Sequence, residues 1–196
     1  MADIEQLAYY STKFARLRVD RAHGIAPHKP ILLLSVIELI KADAITKNQI
    51  YLSDELIQMF RLAWSYLGSE FHHPDISRPF FHLRGDKFWH LVPNPGFRKI
   101  ITAKIKLKTF HDVMQAVKYA YFDDALFELL QDPVARTSLT TILVHRWFES
   151  KVSDFEQFIQ AASTKNRSQQ DQKRAQDWTD EQGFKRLRQE VCQTER

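Results

Sequence analysis

Cysteine occurs once, at Cys192, so no internal disulfide can close and the composition fits a reducing compartment, with the cytoplasm as the expected location. Glycine is almost as scarce, with five residues, and neither a phosphate-cradling Walker loop nor a dinucleotide-binding glycine pattern is present. Paired cysteines, histidines at i,i+4 spacing and a serine in Gly-x-Ser-x-Gly surroundings are all absent, which removes the usual zinc-finger and hydrolase signatures. No apolar run approaches the ~20 residues that span a bilayer, and the first residues are amphipathic rather than signal-like. A soluble protein with no membrane partner is expected. The net charge of +4 and a pI near 9.1 permit nucleic acid but do not demand it. With 196 residues, 44% of them hydrophobic, the chain can bury one proper core and carry a tail.

The most informative stretch is Ala26-Pro27-His28-Lys29-Pro30, followed by an aliphatic run to Ile40 that only Ser35 and Glu38 interrupt. Pro30 suits the first helical position, and each proline disfavours helical geometry in the residue before it, so a helix is expected to start near Pro30. Being apolar nearly all round, it should lie buried at the centre of the domain. Cations at a helix N-terminus oppose the helix dipole unless something negative joins them, so His28 and Lys29 read as an anion site. The plain alternative is that both are solvated loop residues ahead of a core helix.

Before this stretch, Ile4, Leu7, Tyr10, Phe14 and Leu17 recur at helical spacing, predicting a helix over about Asp3 to Val19. Its other face is basic, with Lys13, Arg16, Arg18 and Arg21 leading to His23; arginines on a solvated helix face are equally ordinary. Beyond the central helix, Ile50-Tyr51-Leu52 reads as a short strand. Ser53 then caps a helix with Asp54 and Glu55 in its first turn and Gly68 at its end. Ile101, Ala103, Ile105 and Leu107 alternate with Thr102, Lys104, Lys106 and Lys108, a half-buried strand whose lysine stripe can track phosphates or protect a sheet edge. Phe110 to Leu130 reads as helix with a break at Asp123-Asp124. Asp132-Pro133 caps the next helix, and Ser153-x-x-Glu156 forms a capping box for a short one.

Two aromatic-rich runs flank Arg84-Gly85-Asp86-Lys87, which predicts a β-hairpin with strands near Pro79–Leu83 and Phe88–Val92. The preceding loop, His72-His73-Pro74-Asp75-Ile76-Ser77-Arg78, is polar and long enough to touch a ligand. Histidines and aspartates here also suggest a rival, a metal-dependent nuclease using His72, His73, Asp75 and His82, although spacing alone does not supply the convergent geometry a metal requires. These elements add up to an α+β domain, mainly α-helical, with a central buried helix and a small antiparallel hairpin. From Ala161 to Asp180 the composition turns polar, as in a linker or frayed helix, and Phe184, Leu187 and Val191 then return at helical spacing.

His28-Lys29-Pro30 with its Leu-rich helix, together with Arg78-Pro79-Phe80-Phe81-His82-Leu83-Arg84-x-Asp86-x-Phe88-Trp89, resembles the DNA sulfur-binding domain of McrA-like, HNH-type modification-dependent restriction endonucleases. The likeness covers residues 3–160, with both motifs in order. It implies a domain at 1–160 that recognises duplex DNA carrying a backbone phosphorothioate, and a segment 161–196 leading to a nuclease half that the chain lacks. The pocket residues carried over are His28, Lys29, Arg78, Pro79 and His82. Arg18, Arg21, His23, His72, His73, Ser77, Arg84, Lys104 and Lys106 are the expected DNA contacts. No catalytic residue and no cofactor is expected in this domain; the divalent metal and a possible homodimer contact would belong to the HNH part. Two positions depart from the pattern, since an aromatic is expected at Arg78 and a small residue at His82. A general DNA- or protein-interaction domain is the third reading.

Overall fold

The computed structural model describes residues 2–22, 24–99, 107 and 109–168. The chain divides into two compact units, Met1–Phe158 and Ile159–Arg196. In the first, α1 (Ala2–Ala15), α2 (His28–Lys41), α3 (Asp54–Leu67) and α4 (Ser77–His82) precede a 3-10 turn (Leu83–Asp86) and β1 (Trp89–Pro93). Then come α5 (Phe110–Ala116), β2 (Val117–Phe122), α6 (Asp124–Gln131), α7 (Pro133–Trp147) and a second 3-10 turn (Glu149–Lys151). The fold is mainly helical α+β, with one two-stranded antiparallel sheet among the described residues. Residues 152–158 are helical, so Ser153 lies in a first turn. In the second unit, residues 159–168 are helical, including the start of the expected linker.

α2 is the core. Every residue from Lys29 to Ile40 is buried, and α3, α4, α6 and α7 pack around the helix. It begins at His28, two residues before the expected start, because Pro30 falls within the first turn, where no N–H is required; the first helical bond runs from the Ile31 N–H to the Pro27 carbonyl at 3.0 Å. Lys29 is therefore helical despite preceding a proline. Its ammonium makes a 2.6 Å ion pair with Asp86 that is buried on both sides. The other Asp86 oxygen accepts the Arg18 backbone N–H at 2.8 Å. One carboxylate thus ties the 3-10 turn, α2 and the α1–α2 connection together.

The expected hairpin is not formed. Residues Pro79–Leu83 are helical rather than extended: Asp75 accepts the Ser77 N–H, Pro79 sits in the first turn, and Phe80 and Phe81 are both buried. Trp89 locks α4 to β1 by donating its indole N–H to the Phe80 carbonyl at 2.8 Å. β1 instead pairs with Val117–Phe122, in the register Trp89 opposite Phe122 and Leu91 opposite Ala120. That strand lies inside the run expected to be helix, and Ile50 reaches it only as an isolated bridge to Ala120. α1 stops at Ala15, short of Val19, with its last carbonyls taken by the side chains of Arg146 and Trp147. Arg16, Arg18 and Arg21 therefore lie beyond the helix and form no helical face, and Ile4 points to solvent. The caps at Ser53, Gly68 and Asp132 stand where the sequence put them. The strand expected over Ile101–Leu107, apart from Leu107 itself, and the helical segment at Phe184–Val191 lie outside the described residues.

Breaking a buried ion pair from one side leaves an uncompensated charge, which costs about 3–5 kcal/mol, whereas replacing both partners by apolar groups is close to neutral. Asp86→Ala is accordingly expected to destabilise the domain by about that amount, and Lys29→Met/Asp86→Leu by much less, as read by chemical denaturation.

Candidate nucleic-acid interface

A cleft of about 730 Å³ opens where the N-terminal end of α2 meets α4 and the chain leaving α1. Arg18, Val19 and Asp20 line it from that chain, and Ala26, His28 and Lys29 from the entrance to α2. His72, Arg78, Pro79, His82 and Gly85 come from the loop and helix that follow α3, and Leu107 completes the lining. The five expected pocket residues are therefore brought together, and Arg18 and His72 join them.

Their environments differ. Lys29 is only 9% exposed and its charge is met by Asp86, so the negative partner required at this helix start comes from the protein itself. Lys29 lines the cleft as half of a neutral pair and not as a free cation. Arg78 is the reverse case: its side chain is 71% exposed and it meets Asp75 at 3.2 Å. An ion pair in that setting is worth about 0–1 kcal/mol, so Arg78 exchanges Asp75 for another anion at little cost. Arg78 and His82 stand four residues apart on α4 and share its exposed face. Pro79, between them, is buried yet borders the cleft.

His28 is held from several sides. Its Nε2 lies 2.8 Å from the His73 carbonyl, so this nitrogen carries the proton, and the ring packs 4.7 Å from Trp64 and 5.6 Å from His72. Burial, with the neighbouring His72 adding to it, pushes the His28 pKa below its ordinary value of 6.5 against the opposing hydrogen bond to His73. A Cβ on Gly68 would come within 2.5 Å of the Trp64 carbonyl and 2.6 Å of its indole nitrogen, so this glycine leaves room for the ring beneath His28.

The other expected DNA contacts fall elsewhere. Ser77 is buried, giving its N–H and hydroxyl to Asp75, and is not part of the lining. Arg84 lays its guanidinium 4.0 Å over the Phe81 ring. Arg21 and His73 are exposed outside the lining, His73 contributing its backbone carbonyl. His23, Lys104 and Lys106 lie outside the described residues, although in sequence Leu107 stands between Lys106 and Lys108. Asp86, in sequence a turn and motif position only, and Trp64 carry no local signal of these roles.

Among the described residues, no group of three or more His, Cys, Asp and Glu side chains is arranged to hold a metal, so His72, His73, Asp75 and His82 do not converge on one. His72 Nδ1 instead meets the Ser69 hydroxyl at 3.1 Å, and Asp75 is engaged by Ser77 and Arg78. None of the described helices is long and apolar enough to cross a membrane. Compared with known proteins, the chain matches no family model and none of the curated proteins.

A histidine whose folded pKa lies below its unfolded value binds fewer protons when folded. Its stabilising contribution is complete above pH 6.5 and is lost as pH falls from there through the folded value. His28→Gln keeps an N–H for the His73 carbonyl but does not titrate. Its unfolding free energy is expected to fall less steeply than that of the wild type as pH drops below about 6.5, as read by denaturant titrations at a series of pH values.

Proposed function

We propose that the chain is a DNA-binding specificity module that recognises phosphorothioate-modified duplex DNA through this cleft. The observation that carries the reading is the lining that Pro79 shares: Val19, Ala26 and Leu107 are apolar, and Arg18 and Arg78 line the same cleft. The start of α2 adds to it, since Pro27 supplies no side-chain cap and the first turn holds no acid. Such a helix end favours an anion. Arginines neutralise backbone phosphates and make binding weaken with salt.

Replacing a non-bridging phosphate oxygen by sulfur keeps the charge but makes the atom larger, softer and less well hydrated. Covering a few tens of Å² of sulfur contributes about 1 kcal/mol. Stripping water from an ordinary oxygen against a proline ring, with no replacement hydrogen bond, costs about 1–3 kcal/mol. The sum is roughly 2–4 kcal/mol, or about 30- to 1,000-fold in favour of sulfur. On this reading the chain binds and does not cut. Cleavage belongs to an HNH domain of a type IV restriction endonuclease acting in the cytoplasm, and that domain would bring the divalent metal and the homodimer contact.

The test is the ratio of affinities for phosphorothioate and unmodified duplexes. Pro79→Ala removes most of the ring from a first-turn position where no hydrogen bond is at stake, and it is expected to reduce the ratio several-fold. Pro79→Glu, which sets a charge against the phosphate, is expected to abolish the preference. An unchanged ratio in both variants, with folding verified by thermal melting, would remove the pocket assignment.

A further inference from the structure

Phe71 is 79% exposed, the highest value among the large hydrophobic side chains of the described residues. The loop displaying it is pinned on both sides. Its own N–H donates to the Ser69 hydroxyl at 3.2 Å, and the same hydroxyl meets His72 Nδ1. Downstream, the His73 carbonyl accepts both the Asp75 N–H and His28 Nε2, each at 2.8 Å. The next residue, His72, lines the cleft. A single exposed phenylalanine is unremarkable in itself. Held out on an anchored backbone one residue from a cleft with two arginines, it meets the requirements of a base-contacting side chain, an aromatic face beside a phosphate site.

We infer that Phe71 contacts a base: with a backbone phosphate seated in the cleft, its ring wedges against the adjacent base step of the duplex. The cleft then decides between sulfur and oxygen, while Phe71 adds affinity and fixes the position of the protein along the strand. This rests on the proposed DNA-binding function.

The test uses the full chain and a short duplex carrying one phosphorothioate, with 2-aminopurine at the flanking step. Wild-type binding is expected to raise 2-aminopurine emission as the step unstacks. Phe71→Ala is expected to bind about 5- to 150-fold more weakly and to lose the emission change. Because no phosphate contact is removed, it should keep the wild-type salt dependence and sulfur-to-oxygen ratio. Phe71→Trp should retain both affinity and emission change. If Phe71→Ala matches the wild type while Arg78→Ala binds more weakly, Phe71 is no base contact and the cleft reading stands. Emission that rises unchanged in Phe71→Ala also overturns the inference. Failure of the wild type to bind any duplex overturns the inference together with the function on which it rests.

Discussion

The buried pair of Lys29 and Asp86 is the contact on which the cleft depends. Lys29 lies in the first turn of the core helix and Asp86 ends the turn after α4, so their 2.6 Å bond sets the separation of the two elements that carry His28 and Pro79. The second Asp86 oxygen, bonded to the Arg18 N–H, fixes the third wall. Such a pair contributes little net stability compared with apolar packing, because desolvating two ions offsets most of their attraction. Its effect is positional. The cation that a helix start disfavours is neutralised from within, so the anion-attracting character of α2's N-terminus is left to the backbone and to the arginines.

The charge available to a ligand is therefore narrower than the number of cationic residues suggests. Lys29 is matched by Asp86, and burial favours the neutral form of His28. Arg18 and Arg78 remain exposed, and Asp20 and Asp75 stand nearby. On the proposed function, such a cleft would draw a phosphate weakly by charge and select among phosphates by what lies against the non-bridging atom. That division of labour suits recognition of a modified backbone better than indiscriminate coating of DNA, for which a denser array of free cations would serve. The His72–Asp75 loop, bonded to His28 through the His73 carbonyl and to the first turn of α4 through Asp75, shapes the entrance.

The parts of the fold legible in the sequence are those with local causes. Ser53, Asp132 and Pro133 mark helix starts because the capping oxygen and the missing proline N–H act within one turn, and α2 announces its burial by its composition. Val117–Phe122 is a strand because β1, far back in the sequence, supplies its partner; its aromatic and β-branched residues were the available signal, and a helical reading of Phe110–Leu130 overrode it. Ser77–His82 shows the opposite error. An aromatic run with strand-like composition becomes helix because two adjacent phenylalanines must both enter the core, which a strand would not permit on one face. The convergence of His28, Arg78, Pro79 and His82 was legible as motifs in order, whereas the Asp86 that holds them together stands 57 residues from Lys29 and has no signature of its own.

The most direct measurement is binding of the chain to one short duplex in three forms, unmodified and with each phosphorothioate stereoisomer, across a salt series without metal. The account predicts tight binding to one stereoisomer, weaker binding to the others, and affinity that falls as salt rises. Equal affinity for all three forms would contradict sulfur recognition by the Pro79 cleft, and absence of binding would contradict a nucleic-acid role for it altogether.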